Sequence, residues 1–414
     1  MGMKKRIIYI SYDGMTDPLG QSQVLPYLKG ISLAGYSITL ISLEKEIPFG
    51  QSGKEISELC ETHSIHWIPK IYQKKIPVLS PILNLFSLIQ ESDKLQKQAI
   101  FNMIHCRSYM SGIVGYRAKH KYGTTFLFDP RGFFADERVD GNLWNLSNPI
   151  YRLVYRYFKK KEKQFITQAD HIVSLTHAGK EVICKKILPG FPPNKITVIP
   201  CCADTQLFSL ASIDHGKLNT MKASLGLSNK FVLTYLGAVG TWYMTSEMMK
   251  FYAVLREKKT NTHFLFVTAE NPQIIIDEAS KCQIPQSEIT IVKSPRKLVP
   301  YYLAMSDAGI FFIKPSFSKQ GSSPTKLGEM LSMGIPVICN AGVGDVESII
   351  SATQTGVCLK SFSETEMTDA IEIIAGMSDK TMNVEKAQKA IAFFSLEQGI
   401  KSYLGIYESL LGKP

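Results

Sequence analysis

The chain has no apolar run approaching the roughly 18 residues that a membrane-spanning helix needs. Its eight cysteines include no C-x-x-C pair and its eight histidines no H-E-x-x-H helix. Neither a disulfide scaffold nor a metal site is therefore expected, and reduced thiols in the cytoplasm are the default. The apolar run after Lys4-Lys5-Arg6 lasts five residues before the chain reaches Asp13-Gly14, too short for a signal peptide. Arg6 also occupies the position at which a myristoylation signal wants Ser or Thr. No G-x-G-x-x-G opens a helix, which disfavours dinucleotide binding. Glycine plus proline make up 49 of 414 residues, against 45% hydrophobic ones, so collagen-like and disordered chains are excluded.

Positive charge is in excess: 47 Lys+Arg against 36 Asp+Glu give +11. That field favours an anionic partner, whether nucleic acid, an acidic membrane surface or a phosphorylated small molecule. No RNA-binding or zinc motif accompanies it, so nucleic acid is not expected.

Short β-branched runs alternate with helical periodicity, the pattern of parallel sheets. Strands are expected at 6–11, 37–43, 65–68, 102–106, 125–129, 171–175 and 196–199, and again at 231–236, 263–267, 289–292, 309–314 and 336–339. The polar stretch 209–230 reads as a linker and exposed turn. The expectation is α/β: two doubly wound, Rossmann-like domains, 1–205 and 206–394, facing a cleft, with a helix in 395–414 packing back on the first. Ligands of such sheets sit at the carboxyl ends of the strands.

The segment Lys314–Val337 is the most informative. Ser323 and Pro324 lead into a helix whose first amides, at Thr325 and Lys326, would face an anion at the positive helix end. Lys326 adds a full charge. Glu329, one turn deeper on the same face, can accept two vicinal hydroxyls. Phosphate at the tip and ribose below is a nucleotide arrangement; ordinary capping with a surface Lys326–Glu329 pair is the alternative. Two further loops follow strands. Asp13-Gly14…Gly20-Gln21-Ser22 carries a glycine able to admit close backbone approach, and Gly237-Ala238-Val239-Gly240-Thr241 does the same in the second half. Arg107 and Arg131 end strands and can reach a cleft. Asp136, Glu137 and Arg138 read either as site residues or as a solvated helix start, and His105 as a packed residue.

In this combination the sequence resembles the retaining GT-B nucleotide-sugar glycosyltransferases of family 4, in the branch of bacterial surface-polysaccharide synthesis. The likeness rests on Asp13-Gly14…Gly20-Gln21-Ser22-Gln23-Val24, Asp129-Pro130-Arg131-Gly132, Ser174-Leu175-Thr176, the segment Ile199–Asp204, Tyr235-Leu236-Gly237…Gly240-Thr241-Trp242-Tyr243 and Ser323-Pro324-Thr325-Lys326…Glu329. It implies a ribose-binding role for Glu329 and diphosphate binding at Thr325, Lys326, Gly240 and Thr241. It also implies base binding at Ser294, Pro295 and Arg296, and a place for Gly20 beside the reacting sugar. Lys326, Arg131 and Gly20 are the expected catalytic positions; Asp13, Gln21, Arg107 and Glu137 are expected on the acceptor side. The donor is expected to be a UDP-sugar, with neither metal nor separate cofactor. Two departures stand out. Gly321 occupies the position of the family's first glutamate, and Val239–Tyr243 lacks the usual Arg and Lys. A non-catalytic nucleotide-sugar-binding subunit or sensor is the alternative.

Breaking the bond to a nucleoside diphosphate develops negative charge on phosphate, which preorganised donors stabilise. No pair of carboxylates supports a double displacement, and front-face retention is implied by the family. Residues 151–165 carry six basic side chains. Positions 151, 154, 155, 158 and 165 form an apolar stripe, with 152, 156, 159, 160 and 163 on a neighbouring face. Together with the apolar stretch 78–89 behind Lys70, Lys74 and Lys75, this is expected to bind an anionic membrane at the inner face of the cell, where a lipid-linked or other saccharide acceptor would wait. A core-packed helix with a solvated face is the alternative.

Overall fold

The computed structural model describes residues 4–74, 80–377, 388–389 and 391–414. The chain divides into two compact units, one of Met1–Pro200, Gln320–Ser322 and Leu396–Pro414, the other of Cys201–Lys319 and Ser323–Ser395. Lys75 and residues 78–79 of the apolar stretch lie outside the described residues.

The first unit is built on β1 (Arg6–Ser11), β2 (Ser37–Glu44), β3 (Ile65–Ile71), β4 (Met103–Arg107), β5 (Thr125–Asp129), β6 (His171–Ser174) and β7 (Ile196–Val198), in the order β3-β2-β1-β4-β5-β6-β7. Every pairing is parallel. Ile7, Ile8 and Ile10 are wholly buried, as are Phe126, Leu127 and Phe128. Such unbroken apolar strands belong to sheets covered by helices on both faces. The second unit repeats the plan with β8 (Phe231–Leu236), β9 (Thr262–Val267), β10 (Ile289–Val292), β11 (Ala308–Ile310), β12 (Val337–Asn340) and β13 (Gly356–Leu359), in the order β10-β9-β8-β11-β12-β13. The strand order turns back between β1 and β4 in one sheet and between β8 and β11 in the other. Those switch points open a crevice at the carboxyl ends of the strands.

The expected α/β class and its two parallel sheets are present, with differences of detail. The stretch 209–230 is not merely a linker, because Asp214 accepts the amide of Lys217 at 2.9 Å and caps a helix over His215–Ser224. Strand β13 has only four residues, too few for a period-2 signal, and is held by its register against β12. Strand β11 stops at Ile310; Ile313 instead forms an isolated antiparallel bridge with Tyr243.

Helix Leu396–Leu411 belongs to the first unit. It buries Tyr403, Ile406 and Tyr407 and sets Ile400 against Gly30, where any Cβ would stand 2.5 Å from the Ile400 Cδ1.

Candidate functional site

In the second unit the helix Thr325–Ser332 begins straight after Pro324, which is extended and contributes no side-chain cap. The first-turn amides thus point out of a positive helix end with no side-chain acceptor on them. Lys326 is only 6% exposed. Its ammonium donates to the Tyr235 hydroxyl at 3.0 Å and lies 4.2 Å and 3.9 Å from the ring centroids of Tyr235 and Tyr243. Burial pushes its pKa well below the usual lysine value, and Glu329 only partly offsets this. The Tyr235 hydroxyl in turn donates to the Ala238 carbonyl, tying the ammonium to the loop after β8. Gly237, in that loop, has φ +118, and a Cβ there would stand 3.0 Å from Lys326 Nζ. Glycine is needed at this position both for the backbone and for the ammonium's approach. An ammonium has three donors, and the one hydrogen bond to the Tyr235 hydroxyl leaves donors for a further acceptor.

Glu329 lies one turn below, 5% exposed. Its Oε1 accepts from Arg296 Nη1 at 2.9 Å. Burial raises its pKa, with the Arg296 charge and hydrogen bond opposing. Arg296 is therefore engaged with the carboxylate and with the Phe208 ring, 5.2 Å away, rather than standing alone as a holder of the base. Ser294 turns its hydroxyl to the Pro295 carbonyl, and Pro295 is exposed. Ser323 accepts the amide of Cys201 at 3.1 Å, so its hydroxyl is part of the scaffold. Gly240 and Thr241 both have positive φ, +85 and +41, in the loop before the helix Thr245–Lys258. The absence of Arg and Lys from that loop stands, but Lys319, 6% exposed, lies 3.7 Å from the Trp242 ring centroid. No individual role for Lys319, Tyr235 and Tyr243 was legible in the sequence, because their part depends on packing rather than on a motif.

The first unit gathers a second cluster where β1, β4 and β5 end. Asp129 is buried; its Oδ2 accepts from Tyr403 at 2.9 Å and lies 3.5 Å from Arg131 Nη1 and 3.8 Å from His105 Nε2. Burial alone would raise its pKa, but Arg131, His105 and Arg107 hold it down at about 2. The imidazole of His105 shares a 2.8 Å hydrogen bond with Tyr407, and burial lowers its pKa. His105 is thus a packed residue. Arg107 is 4% exposed, with Nε 3.7 Å from Asp13 Oδ2. Glu137 is half-buried in the first turn of the helix Phe134–Asp140.

In the loop after β1, Gly20, Gln21 and Ser22 are engaged with their own chain. Gly20 lies within the helix Pro18–Gln23, and a Cβ there would stand 2.2 Å from the Gly14 carbonyl oxygen. The close approach that Gly20 permits is to its own chain. Gln21 donates to the Thr16 carbonyl, and Ser22 to that of Pro18, so both are turned inward on the loop. The group that fixes the loop is Glu44, wholly buried, which accepts from the amides of Met15 and Thr16 and from the Thr16 and Ser42 hydroxyls. Gly321 is walled in: a Cβ there would lie 3.0 Å from Phe133 Cε2 and 3.3 Å from Gly132 Cα, so any side chain would require the Phe133 ring to give way.

Among the described residues, no group of three or more His, Cys, Asp or Glu could hold a metal ion, and no helix is long and apolar enough to cross a membrane.

Comparison with known proteins agrees with this architecture. The family model "Glycosyltransferase Family 4" matches residues 27–207, and "Glycosyl transferases group 1" matches 219–390. The D-inositol 3-phosphate glycosyltransferase of Gordonia bronchialis is 21% identical over 333 residues, 77% of this chain and 68% of that protein. The protein of that name from Rhodococcus opacus is 22% identical over 283 residues, 66% of this chain and 59% of its own length. Among solved structures, a glycosyltransferase from Rickettsia africae superimposes with TM-score 0.70 at 16% identity, covering all of both chains. Anabaena HepE in complex with UDP and glucose does so with TM-score 0.71 at 11% identity, covering 98% of this chain and all of that one. With a family 4 domain followed by a group 1 domain on two Rossmann-like sheets, the chain belongs to the GT-B glycosyltransferases.

Proposed function

We propose that the protein transfers a sugar from a nucleoside diphosphate sugar, UDP-linked by preference, to a saccharide acceptor with retention of configuration. The carrying observation is the helix Thr325–Ser332: uncapped amides and the ammonium of Lys326 at its tip, and a buried carboxylate at Glu329 one turn in. Diphosphate binds at the tip and ribose at Glu329, with Gly240 and Thr241 beside the phosphates and Ser294–Arg296 next to the base. Lys326 and the helix amides stabilise charge on the departing phosphate. That phosphate takes the acceptor proton, and no metal is required. The UDP and glucose bound to the Anabaena structure support the choice of donor. Asp13, Arg107, Arg131 and Glu137 serve the acceptor side. The curated relatives are inositol-phosphate glycosyltransferases by name; for this chain the acceptor we propose is a lipid-linked saccharide of surface polysaccharide.

The walled-in Gly321 favours one other reading, a nucleotide-sugar-binding subunit without activity, because no carboxylate stands there to hold the donor sugar. Incubation with a panel of nucleotide sugars, with and without a lipid-diphosphate saccharide, separates the two. Acceptor-dependent release of nucleoside diphosphate, with the donor's anomeric configuration kept in the product, is expected. Binding of a nucleotide sugar with no release from any pair would favour the silent subunit.

A further inference from the structure

We propose that Arg107, at the switch point of the first sheet, binds an oxyanion, a carboxylate or a phosphate, carried by the sugar acceptor. The inference rests on assigning the first unit to the acceptor, and it adds the chemical class of that acceptor.

Arg107 ends β4, the strand beside β1 at which the strand order turns back. Its side chain is nine-tenths buried, and Nε and Nη1 are buried with no hydrogen-bond partner among the described residues. Nη2 belongs to both edges of the guanidinium fork, so each edge carries one unanswered nitrogen. A buried cation with unanswered donors is unfavourable unless an acceptor arrives.

The neighbouring carboxylates do not answer it. Asp13 Oδ2 stops 3.7 Å from Nε, beyond hydrogen-bond reach, and its side chain is 41% exposed. Asp129 meets Tyr403 and Arg131 through Oδ2, and its buried Oδ1 makes no hydrogen bond among the described residues, to Arg107 or to any other group. Backbone strain is concentrated at the same strand ends: Ser108, directly after Arg107, has φ +75, and Arg131 has φ +60. Neither is glycine, and such strain persists where surrounding structure imposes a functional geometry. A planar guanidinium suits carboxylate and phosphate oxygens alike. An entering oxyanion takes the place that Asp13 holds from a distance, and Asp13 turns outward.

Titration calorimetry of the full chain with glucuronate, glucose 6-phosphate, inorganic phosphate and glucose tests this. UDP is titrated into the same samples as a check on the second unit. At least one anionic sugar is expected to bind roughly tenfold more tightly than glucose. Arg107→Met should abolish that preference while UDP binding persists, and Arg107→Lys should keep part of it. A preference for glucuronate identifies a carboxylate acceptor; one for glucose 6-phosphate, matched by inorganic phosphate, identifies a phosphate. Asp13→Asn, which removes the competing carboxylate, should tighten anion binding and decides the matter if Arg107→Met does not fold. Absence of any anion preference in the wild type, or its survival in Arg107→Met, overturns the proposal. Failure of the wild type to bind UDP would instead count against the donor assignment in the second unit.

Discussion

Lys326 and Glu329 are three residues apart on one helix, yet burial acts on them in opposite directions. It lowers the lysine's pKa and raises the glutamate's, so each is pushed towards its neutral form. A diphosphate arriving at the helix tip restores the preference of Lys326 for its charged form and draws in a proton. UDP affinity should therefore weaken as pH rises, in a range below the ordinary lysine value of 10.5. Lys326→Arg, which stays charged throughout, should lose that slope. Calorimetry at several pH values checks this; equal slopes in the two proteins would show that Lys326 does not meet the phosphate. The motif Ser323–Glu329 was legible because its chemistry is local: a helix start, a cation and a carboxylate at fixed spacing. The aromatic box around Lys326 was not, because Tyr235 and Tyr243 reach it from a strand end and a loop 91 and 83 residues away.

At the scale of elements, the strand ends of the first unit are stabilised by a helix from the far end of the chain. Tyr403 and Tyr407, on Leu396–Leu411, supply the hydroxyls that meet Asp129 and His105. A carboxylate held at about 2 instead of 3.8 contributes roughly 2 kcal/mol at neutral pH. The sign follows from the lowered pKa: the contribution is complete above pH ~4 and is lost as pH falls towards 2. Thermal unfolding of Asp129→Asn should show a deficit against wild type at pH 7 that narrows below pH 4. A deficit independent of pH would mean that charge is not what Asp129 supplies. This helix was expected against the first domain, but nothing in its sequence showed which strand ends its phenols reach. The surroundings of Gly20 and Gln21 were not legible for a related reason. A glycine in a strand-to-helix loop admits close approach of any backbone, and here the backbone is that of Gly14.

Across the whole molecule, the excess of 11 positive charges and the outer face of the helix Pro149–Gln168 bear on where the enzyme works. The apolar stripe expected at 151, 154, 155, 158 and 165 is only partly the buried face, which consists of Phe158, Glu162, Phe165 and Ile166. Lys159 is drawn inward by Asp136 and Glu162 and is not a surface cation. A second apolar line, Ile150 (66% exposed), Leu153 (70%) and Tyr157, faces outward beside the exposed Arg152, Arg156, Lys160 and Lys163. On the helix Ser80–Gln98, Ile82, Leu83 and Phe86 are also exposed, while Asn84 and Glu91 are buried. Both helices pack on Ser108–Tyr122. Apolar side chains flanked by cations suit an anionic lipid surface, which we propose as the working site. Wild type should co-sediment with vesicles containing anionic lipid, and Leu153→Glu with Lys160→Gln and Lys163→Gln should not. Pelleting unchanged by these substitutions would remove the membrane from the account.

The claim on which the rest depends is that Glu329 holds the donor's ribose. Calorimetric titration of UDP into wild type and into folded Glu329→Ala tests it most directly. Loss of hydrogen bonds from two hydroxyls to a buried carboxylate should weaken binding at least about tenfold. Undiminished UDP affinity in the folded variant would contradict it.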